Sequence, residues 1–264
     1  MLTDSQIDQF NRAGAVTVDS PLTEQQMSAA AAVYDRVLPF VESDNAEQSR
    51  YRLSNACQFY DPELLDLIQH PFFETVAKQV LNAKSVNLYL AAMAHTHAEP
   101  GAEWSFDQHT DIQYCTSDLD GTPRRMVCSF FVWISDVNEQ RAPLVLRPGS
   151  HRLIAEWREQ DPDLKGVTPQ VVGTKLADLP DLPFEEPQPV VANSGQVSVL
   201  TTGTIHGASR NVDTVPRKSL HITFTPEDVE ILLPPRQVDL KKAYDKELRM
   251  RLRKDRVHII PNRQ

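Results

Sequence analysis

Six short runs of β-branched and aromatic residues between Ser85 and Pro226 constrain the fold of this chain more than any other feature. The runs are separated by Pro, Gly, Asn and Asp turns, and they are SVNLYLAAMAH, RRMVCSFFVWISDV, APLVLR, QPVVAN, QVSVLTT and SLHITFTP. Such spacing is typical of antiparallel strands in a sandwich or barrel. No helix-length segment alternates with the runs, so a parallel α/β sheet is not expected.

The segment before these runs has helical patterns. We expect a helix over residues 3–13, with Thr3 or Asp4 as its N-cap and Gly14 at its end, followed by a strand in AVTVDS. A second helix is predicted over about 22–41. The stretches DPELLDLIQ and PFFETVAKQVLN predict two more helices, each with a proline near its first turn. The first third of the chain is therefore expected to be mainly helical.

Two further segments complete the expected organisation. VDLKKAYDKELRMRLRKDR predicts a terminal helix at about 237–256, and the polar, proline-rich segment 154–186 is interpreted as a long insertion between strands. We find neither an internal repeat nor a linker. The prediction is one domain over residues 1–264: mainly β, with flanking helices and a β core at about 85–232.

Composition and charge exclude several classes of protein. No apolar run approaches the roughly 20 residues that cross a bilayer, and the N-terminus lacks a secretory pattern. Three widely spaced cysteines argue against a disulfide framework and fit a reducing cytosol, so we expect a cytoplasmic protein without membrane partners. The net charge of −9 argues against a nucleic-acid partner.

The basic residues gather at the C-terminus. Residues 236–264 carry ten Lys and Arg against four Asp and Glu, a local charge of +6 that leaves −15 on the rest of the chain. The simpler interpretation is a solvated helix. The alternative is a cationic flap that attracts an anionic small-molecule substrate.

The motif HTD at 109–111 has the pattern of a metal site. Residues i and i+2 of an extended segment point to the same side, so His109 and Asp111 can present an imidazole and a carboxylate to one ion. His206 follows 97 residues later, at the end of VSVLTTGTIHG. Two histidines and one carboxylate form a facial triad that leaves three positions of an octahedral iron open.

A second pair, His97 and Glu99, has the same spacing. We rank it below HTD because Pro100 and Gly101 turn the chain directly after it. The remaining histidines, among them His221, are interpreted as ordinary core or surface residues.

An anion site is expected near this metal. Arg217 lies eleven residues after His206, across the turn-forming stretch GASRNVDTVP, so the chain can return beside the metal on a neighbouring strand. A guanidinium fork there suits the distal carboxylate of a small diacid. Ser219 faces the same side of the strand and can donate its hydroxyl to that carboxylate. The alternative is an arginine at a strand edge that faces water.

These motifs together resemble a known family. WSFDQHTDIQY, APLVLRPGSHR and TTGTIHGASRN, with an arginine eleven residues after the histidine, are similar to the phytanoyl-CoA dioxygenase family of iron(II)- and 2-oxoglutarate-dependent oxygenases. The opening LTDSQIDQFNRAGAVTV is similar as well. The resemblance covers residues 2–226 and implies a double-stranded β-helix, a jelly-roll core of the cupin type.

The resemblance implies a role for each matching residue. His109, Asp111 and His206 match the ligands of Fe(II), and Arg217 matches the residue that holds the C5 carboxylate of 2-oxoglutarate. Ser219 fits an Arg-x-Ser pattern, whereas Gln108 and Asn87 lie where some members place amides on the cosubstrate.

The same resemblance implies an activity: O₂-dependent hydroxylation of a small molecule, with release of succinate and CO₂. The carboxylate of Asp111 favours this outcome, because related halogenases have Gly or Ala there. Residues 148–151 (PGSH) are interpreted as structural.

The substrate is not implied by these motifs. Tyr89, His97, Trp104 and Trp133, together with the insertion at 154–186, are candidates for lining the substrate pocket, and no oligomeric state is predicted. The rival interpretation is a non-catalytic, cupin-like protein that binds a metal or ligand, although such a protein has no use for a buried diacid anchor. A second rival is a zinc hydrolase that uses His109, His206 and a carboxylate. It would need a general base like the Glu of HExxH, and the sequence near the HTD motif offers no obvious one.

Overall fold

A computed structural model describes residues 1–40 and 51–261. Within them the helices are α1 (Asp4–Ala13), α2 (Glu24–Val37), α3 (Pro62–Ile68), α4 (Pro71–Leu81), α5 (Thr116–Asp120), α6 (Ser150–Gln160) and α7 (Pro235–Arg251). The strands are β1 (Ala15–Val18), β2 (Arg52–Ala56), β3 (Val86–Thr96), β4 (His109–Ile112), β5 (Cys128–Trp133), β6 (Leu144–Leu146), β7 (Val171–Lys175), β8 (Gln188–Pro189), β9 (Val197–Leu200), β10 (His206–Ala208) and β11 (Arg217–Pro226).

The described strands form two antiparallel sheets. The larger sheet has the order β1-β9-β5-β11-β3-β2, and the smaller has the order β7-β4-β10-β6-β8. Strands β3 to β6 alternate between the sheets, and β8 to β11 alternate again. This alternation forms a double-stranded β-helix, so the predicted jelly-roll core with flanking helices is confirmed.

Strand β5 shows how the larger sheet is packed on both faces. On one face, Phe130 contacts Phe73 of α4 edge-on, with ring centroids 5.1 Å apart. On the other face, Phe131 and Trp133 join a separate apolar cluster that includes Leu144 of β6. A strand buried on both faces reads as a continuous apolar run, which is why CSFFVW was recognisable in the sequence.

The first two helices follow their capping signals. Thr3 and Gln6 form a capping box at the start of α1, and Gly14 ends the helix at a φ of 79°. Helix α2 begins after Thr23 and ends at Val37, shortly before Pro39. The prediction extended this helix to residue 41, which lies outside the described residues.

The interpretation of residues 154–186 as a long insertion between strands was incomplete. Helix α6 begins at Ser150 and runs through the first part of this segment, and β7 pairs with β4 in the smaller sheet. The hydroxyl of Ser150 donates to the Arg147 carbonyl at 2.7 Å and accepts from the Ile205 amide at 2.8 Å. The PGSH stretch therefore supports the chain just before His206.

The terminal helix begins and ends somewhat earlier than predicted, at Pro235 and Arg251. Tyr244 and Leu248 bury its inner side. Among the described residues, no helix has the length and apolar character needed to span a membrane.

Candidate iron and 2-oxoglutarate site

Two adjacent strands of the smaller sheet carry the predicted metal ligands. His109 on β4 and His206 on β10 are direct partners in the antiparallel register. The Asp111 amide donates to the Thr202 carbonyl at 3.0 Å, which holds the second half of the HTD motif against the same chain. Thr110, between them, is fully buried on the opposite side. The i and i+2 spacing therefore brings all three side chains together.

The distances within this triad fit one metal ion. Asp111 lies 3.3 Å from His109 Nε2 through Oδ1, and 3.7 Å from His206 Nε2 through Oδ2. One ligand atom from each of the three residues lies within 4.8 Å of the others. Ligand atoms that each bind one ion at about 2 Å are separated by roughly 3–4 Å. The three residues are therefore positioned to share an ion.

The protonation states of His206 and Asp111 also suit a metal. The Nδ1–H of His206 donates to the Thr204 carbonyl at 2.8 Å, which leaves the Nε2 lone pair directed to the site. Burial lowers the pKa of His206, which keeps it neutral. Burial alone raises the pKa of Asp111, but its interactions with the neighbouring rings of His109 and His206 hold it below its ordinary value. Neutral imidazoles and an ionised carboxylate are the forms that bind metals.

Two features fix the position of β4 beside β10. A Cβ on Gly207 would lie only 1.4 Å from the carbonyl oxygen of Asp107, so the strands approach more closely there than a side chain allows. Arg147 bridges the residues just before the two strands: its backbone N–H donates to the Ile205 carbonyl at 2.9 Å, and its side-chain Nε donates to Gln108 Oε1 at 2.8 Å. Its Nη1 also donates to the Glu185 carbonyl at 2.8 Å. Gln108 thereby has its oxygen occupied, while its buried Nε2 has no partner among the described residues.

Arg217 is almost fully buried, with 1% of its surface exposed. Nη1 donates to the Ala142 carbonyl at 2.8 Å and Nη2 donates to Thr96 Oγ1 at 3.2 Å. Among the described residues, its Nε has no hydrogen-bond partner and no carboxylate pairs with its guanidinium. Burial lowers the pKa of Arg217 to about 9, so it remains charged at neutral pH. A buried cation in this state is costly unless an anion joins it.

Ser219 and Trp133 lie beside this arginine. They are register partners on β11 and β5, and the Arg217 Cζ atom lies 5.8 Å from the centre of the Trp133 ring. The Trp133 Nε1–H donates to Ser198 Oγ at 2.9 Å, and the ring is fully buried. Trp133 therefore lines the Arg217 end of the interior.

The structure does not bring Asn87 or Tyr89 to this site. Asn87 pairs with Thr225, at the opposite end of β3 from Thr96. Nine residues of extended strand span about 30 Å, which is too far for Asn87 to share a cosubstrate with Arg217. Asn87 and Tyr89 line a separate cavity of about 430 Å³ under α7.

This location also argues against the alternative in which the basic terminal helix is a flap over the site. Lys241, Lys242 and Lys246 of α7 line the same distant cavity, so these charges do not lie over the triad.

The other two pocket candidates have different surroundings. His97 is buried against His95, with ring centroids 3.9 Å apart, and its Nε2 lies 3.3 Å from the Leu38 carbonyl. It therefore faces the end of α2 and not the interior of the β-helix. Trp104 is partly exposed and packs on Phe106, with ring centroids 5.0 Å apart, shortly before the HTD motif.

One functional candidate, His221, was interpreted from the sequence as an ordinary histidine. Its Nε2 lies 3.1 Å from Ser219 Oγ, and its ring packs against Phe131 at a tilt, with centroids 4.0 Å apart. Burial, with the charges of Arg217 and Arg52, lowers the pKa of His221 to about 3. The period-2 alternation of β11 puts it on the same face as Arg217, and this alternation was the available signal.

Comparison with known proteins agrees with this geometry. The family description "Phytanoyl-CoA dioxygenase (PhyH)" matches residues 10–219. The chain belongs to this family, and it is an iron(II)- and 2-oxoglutarate-dependent dioxygenase. An ectoine dioxygenase of Bordetella parapertussis is 24% identical over 261 residues, covering 89% of this chain and 79% of that protein.

Two solved structures share the fold. One is SnoK, a non-heme α-ketoglutarate-dependent carbocyclase from nogalamycin biosynthesis, with a TM-score of 0.67, 20% identity and coverage of 91% of this chain and 90% of that one. The other is HygX from Streptomyces hygroscopicus with nickel, 2-oxoglutarate and hygromycin B bound. Its TM-score is 0.59 at 15% identity, with coverage of 85% and 88%.

Proposed function

We propose that the chain hydroxylates a small organic molecule, with Fe(II) held by His109, Asp111 and His206 and 2-oxoglutarate anchored by Arg217. One observation carries the assignment of the anchor: a buried guanidinium with an unpartnered Nε lies in the same interior as a triad of metal-binding groups. A protein that only held a metal would have no reason to bury this unpaired cation.

Each residue has a defined task in this proposal. His206 is held by the Thr204 carbonyl so that Nε2 remains free for iron. Arg217 binds the C5 carboxylate of 2-oxoglutarate, and Ser219 donates its hydroxyl to the same group. Iron bound here with 2-oxoglutarate and O₂ supplies the oxidation of a C–H bond, with release of succinate and CO₂. Phe131, Trp133 and Leu144 keep water from the interior.

The nature of the substrate and the location of the protein are part of the proposal. Relatives named ectoine dioxygenases make ectoine and similar small zwitterions the first compounds to test. The three cysteines, all free and buried, support a reducing compartment such as the cytosol.

The proposal is tested by adding Fe(II) to the protein without oxygen and titrating in 2-oxoglutarate. The expected result is the weak visible charge-transfer band of the iron chelate, absent in His206→Ala and present in the control His258→Ala, which lies outside the site. Iron binding without any band in the wild type would remove 2-oxoglutarate from the proposal.

A further inference from the structure

Arg52 is a second arginine that faces the interior of the β-helix. It lies on the edge strand β2 and pairs with Thr96 of β3, which in turn pairs with Arg217 of β11. Register partners on adjacent strands point to the same side of a sheet. Because Arg217 donates to the Thr96 hydroxyl from the inner side, Arg52 also points inward.

The surroundings of Arg52 are those of a recess open to solvent. The residue is exposed, yet burial by the surrounding protein lowers its pKa, with the carboxylates of Asp107 and Asp111 acting in the opposite direction. Asp111 is a triad residue, so the guanidinium acts on the metal site. Within residues 1–40 and 51–261, the Arg52 side chain has no hydrogen bond or ion pair. No residue of these two ranges therefore occupies its donors, which can bind a ligand.

The sheet beside Arg52 leaves room for a ligand. The next inward positions of β2 are Ser54 and Ala56, which are exposed, and their partners on β3 are Ala94 and Ala92. Small side chains at four neighbouring positions form a shallow floor between β2 and the interior. This floor alone identifies no ligand, but it gives a small molecule access to the guanidinium.

We propose that Arg52 binds a carboxylate of the primary substrate and that the substrate enters over the β2 side of the sheet. Arg217 holds the cosubstrate on one side of Thr96, and Arg52 holds the substrate on the other. A carboxylate fits better than a phosphate, because Asp107 and Asp111 already place negative charge near Arg52 and repel a dianion more strongly. This inference rests on the proposed function and adds the substrate class to it.

The test uses the iron- and 2-oxoglutarate-loaded enzyme without oxygen. Ectoine, L-proline and benzoate are titrated, each beside its neutral carboxamide, and the shift of the charge-transfer band reports binding next to iron. At least one carboxylate should bind the wild type about 10- to 100-fold more tightly than its amide, as expected for hydrogen bonds to a charged group. Arg52→Gln should remove this preference, and Arg52→Lys should retain part of it.

The matched control is Arg236→Gln, which removes one exposed positive charge from α7 and should keep the full preference. The proposal is overturned if no carboxylate binds, if Arg52→Gln keeps the preference, or if benzyl phosphate alone binds in an Arg52-dependent way. The charge-transfer band distinguishes failure of the proposed function from failure of this inference. If the band is absent in the wild type, the proposed function is contradicted. If the band is present but substitution of Arg52 has no effect on substrate binding, only this inference is contradicted.

Discussion

His109 and His206 face each other across β4 and β10, with ring centroids 4.7 Å apart, although 97 residues separate them in the chain. The pairing of the two strands, and not any local motif, brings the third ligand to the other two. Damage to this strand pair is therefore expected to affect the metal as well as the fold.

Removal of the triad carboxylate should abolish activity. Asp111→Ala leaves two imidazoles for the iron, and turnover is expected to fall by more than about a hundredfold, beyond the loss typical of outer-shell partners. Iron content after desalting and succinate release measure the effect. Asp163→Ala, at an exposed loop position, is the control. Iron content equal to that of the wild type would remove Asp111 from the ligand set.

Replacement of the buried arginine should weaken cosubstrate binding. Arg217→Ala removes charge-assisted hydrogen bonds and should raise the dissociation constant for 2-oxoglutarate by about 10- to 100-fold. Arg217→Lys keeps the charge but loses the planar fork, so its dissociation constant for 2-oxoglutarate should lie between those of the wild type and Arg217→Ala. Anaerobic titration of the iron-loaded protein measures both variants, and unchanged affinity in Arg217→Ala would exclude this residue as the anchor.

Substitution of Gly207 should separate the metal strands. The Cβ of Gly207→Ala meets the Asp107 carbonyl, so β10 must move, at a cost of about 1–3 kcal/mol in the free energy of unfolding. Iron affinity should fall as well. Gly166→Ala is the comparison, since that position has open space but a φ of 76°, and it should lose about 1–2 kcal/mol with iron affinity unchanged. Urea unfolding and iron titration distinguish the two costs.

The ion pairs that hold the segment after α7 against Glu74 of α4 should weaken in acid. Glu74 accepts from Lys78 at 2.7 Å and pairs with Arg256 at 2.7 Å and with His258 at 3.1 Å. Although burial opposes ionisation, these partners lower the pKa of Glu74 to about 2, from an ordinary value of 4.5. A lowered carboxyl pKa stabilises the fold above pH 4.5, and this stabilisation disappears as the pH falls toward 2.

The size of the effect is expected to be about 2 kcal/mol after allowance for solvent screening. Urea unfolding of the wild type and Glu74→Gln should differ by this amount at pH 7 and by less than half of it at pH 3. Glu156→Gln, exposed on α6, should show no such pH-dependent difference. A constant difference between the wild type and Glu74→Gln at both pH values would contradict the assignment.

The sequence predicted those parts of the fold that have strong local patterns. The N-cap at Thr3 and the continuous apolar run of β5 are visible without tertiary information. Strand β2 was not predicted, because its burial alternates only between exposed and partly exposed positions. It forms because β3 offers an unpaired edge, which no pattern in RLSNA reveals. Arg52 was missed for the same reason.

The site shows the same division between local and long-range information. The i and i+2 spacing of His109 and Asp111 was sufficient to put them on one side of a strand. Asn87 was assigned to the cosubstrate because it lies where some members of the family place an amide, but the sequence does not say which end of an eleven-residue strand meets the metal. That choice depends on the register between β3 and β11, which is set by packing over the whole sheet.

The position of Thr96 between two arginines has a consequence for regioselectivity. Neighbouring strands lie about 4.8 Å apart, so the backbones carrying Arg52 and Arg217 are separated by about 10 Å. If Arg52 binds the substrate as proposed, this separation fixes the position of the substrate's carboxylate relative to the cosubstrate and the metal. The carbon that is oxidised must then lie at a set distance from that carboxylate. A shift of β2 by two residues would move Arg52, and the carboxylate bound to it, by about 7 Å. Oxidation would then occur at a different carbon of the same molecule.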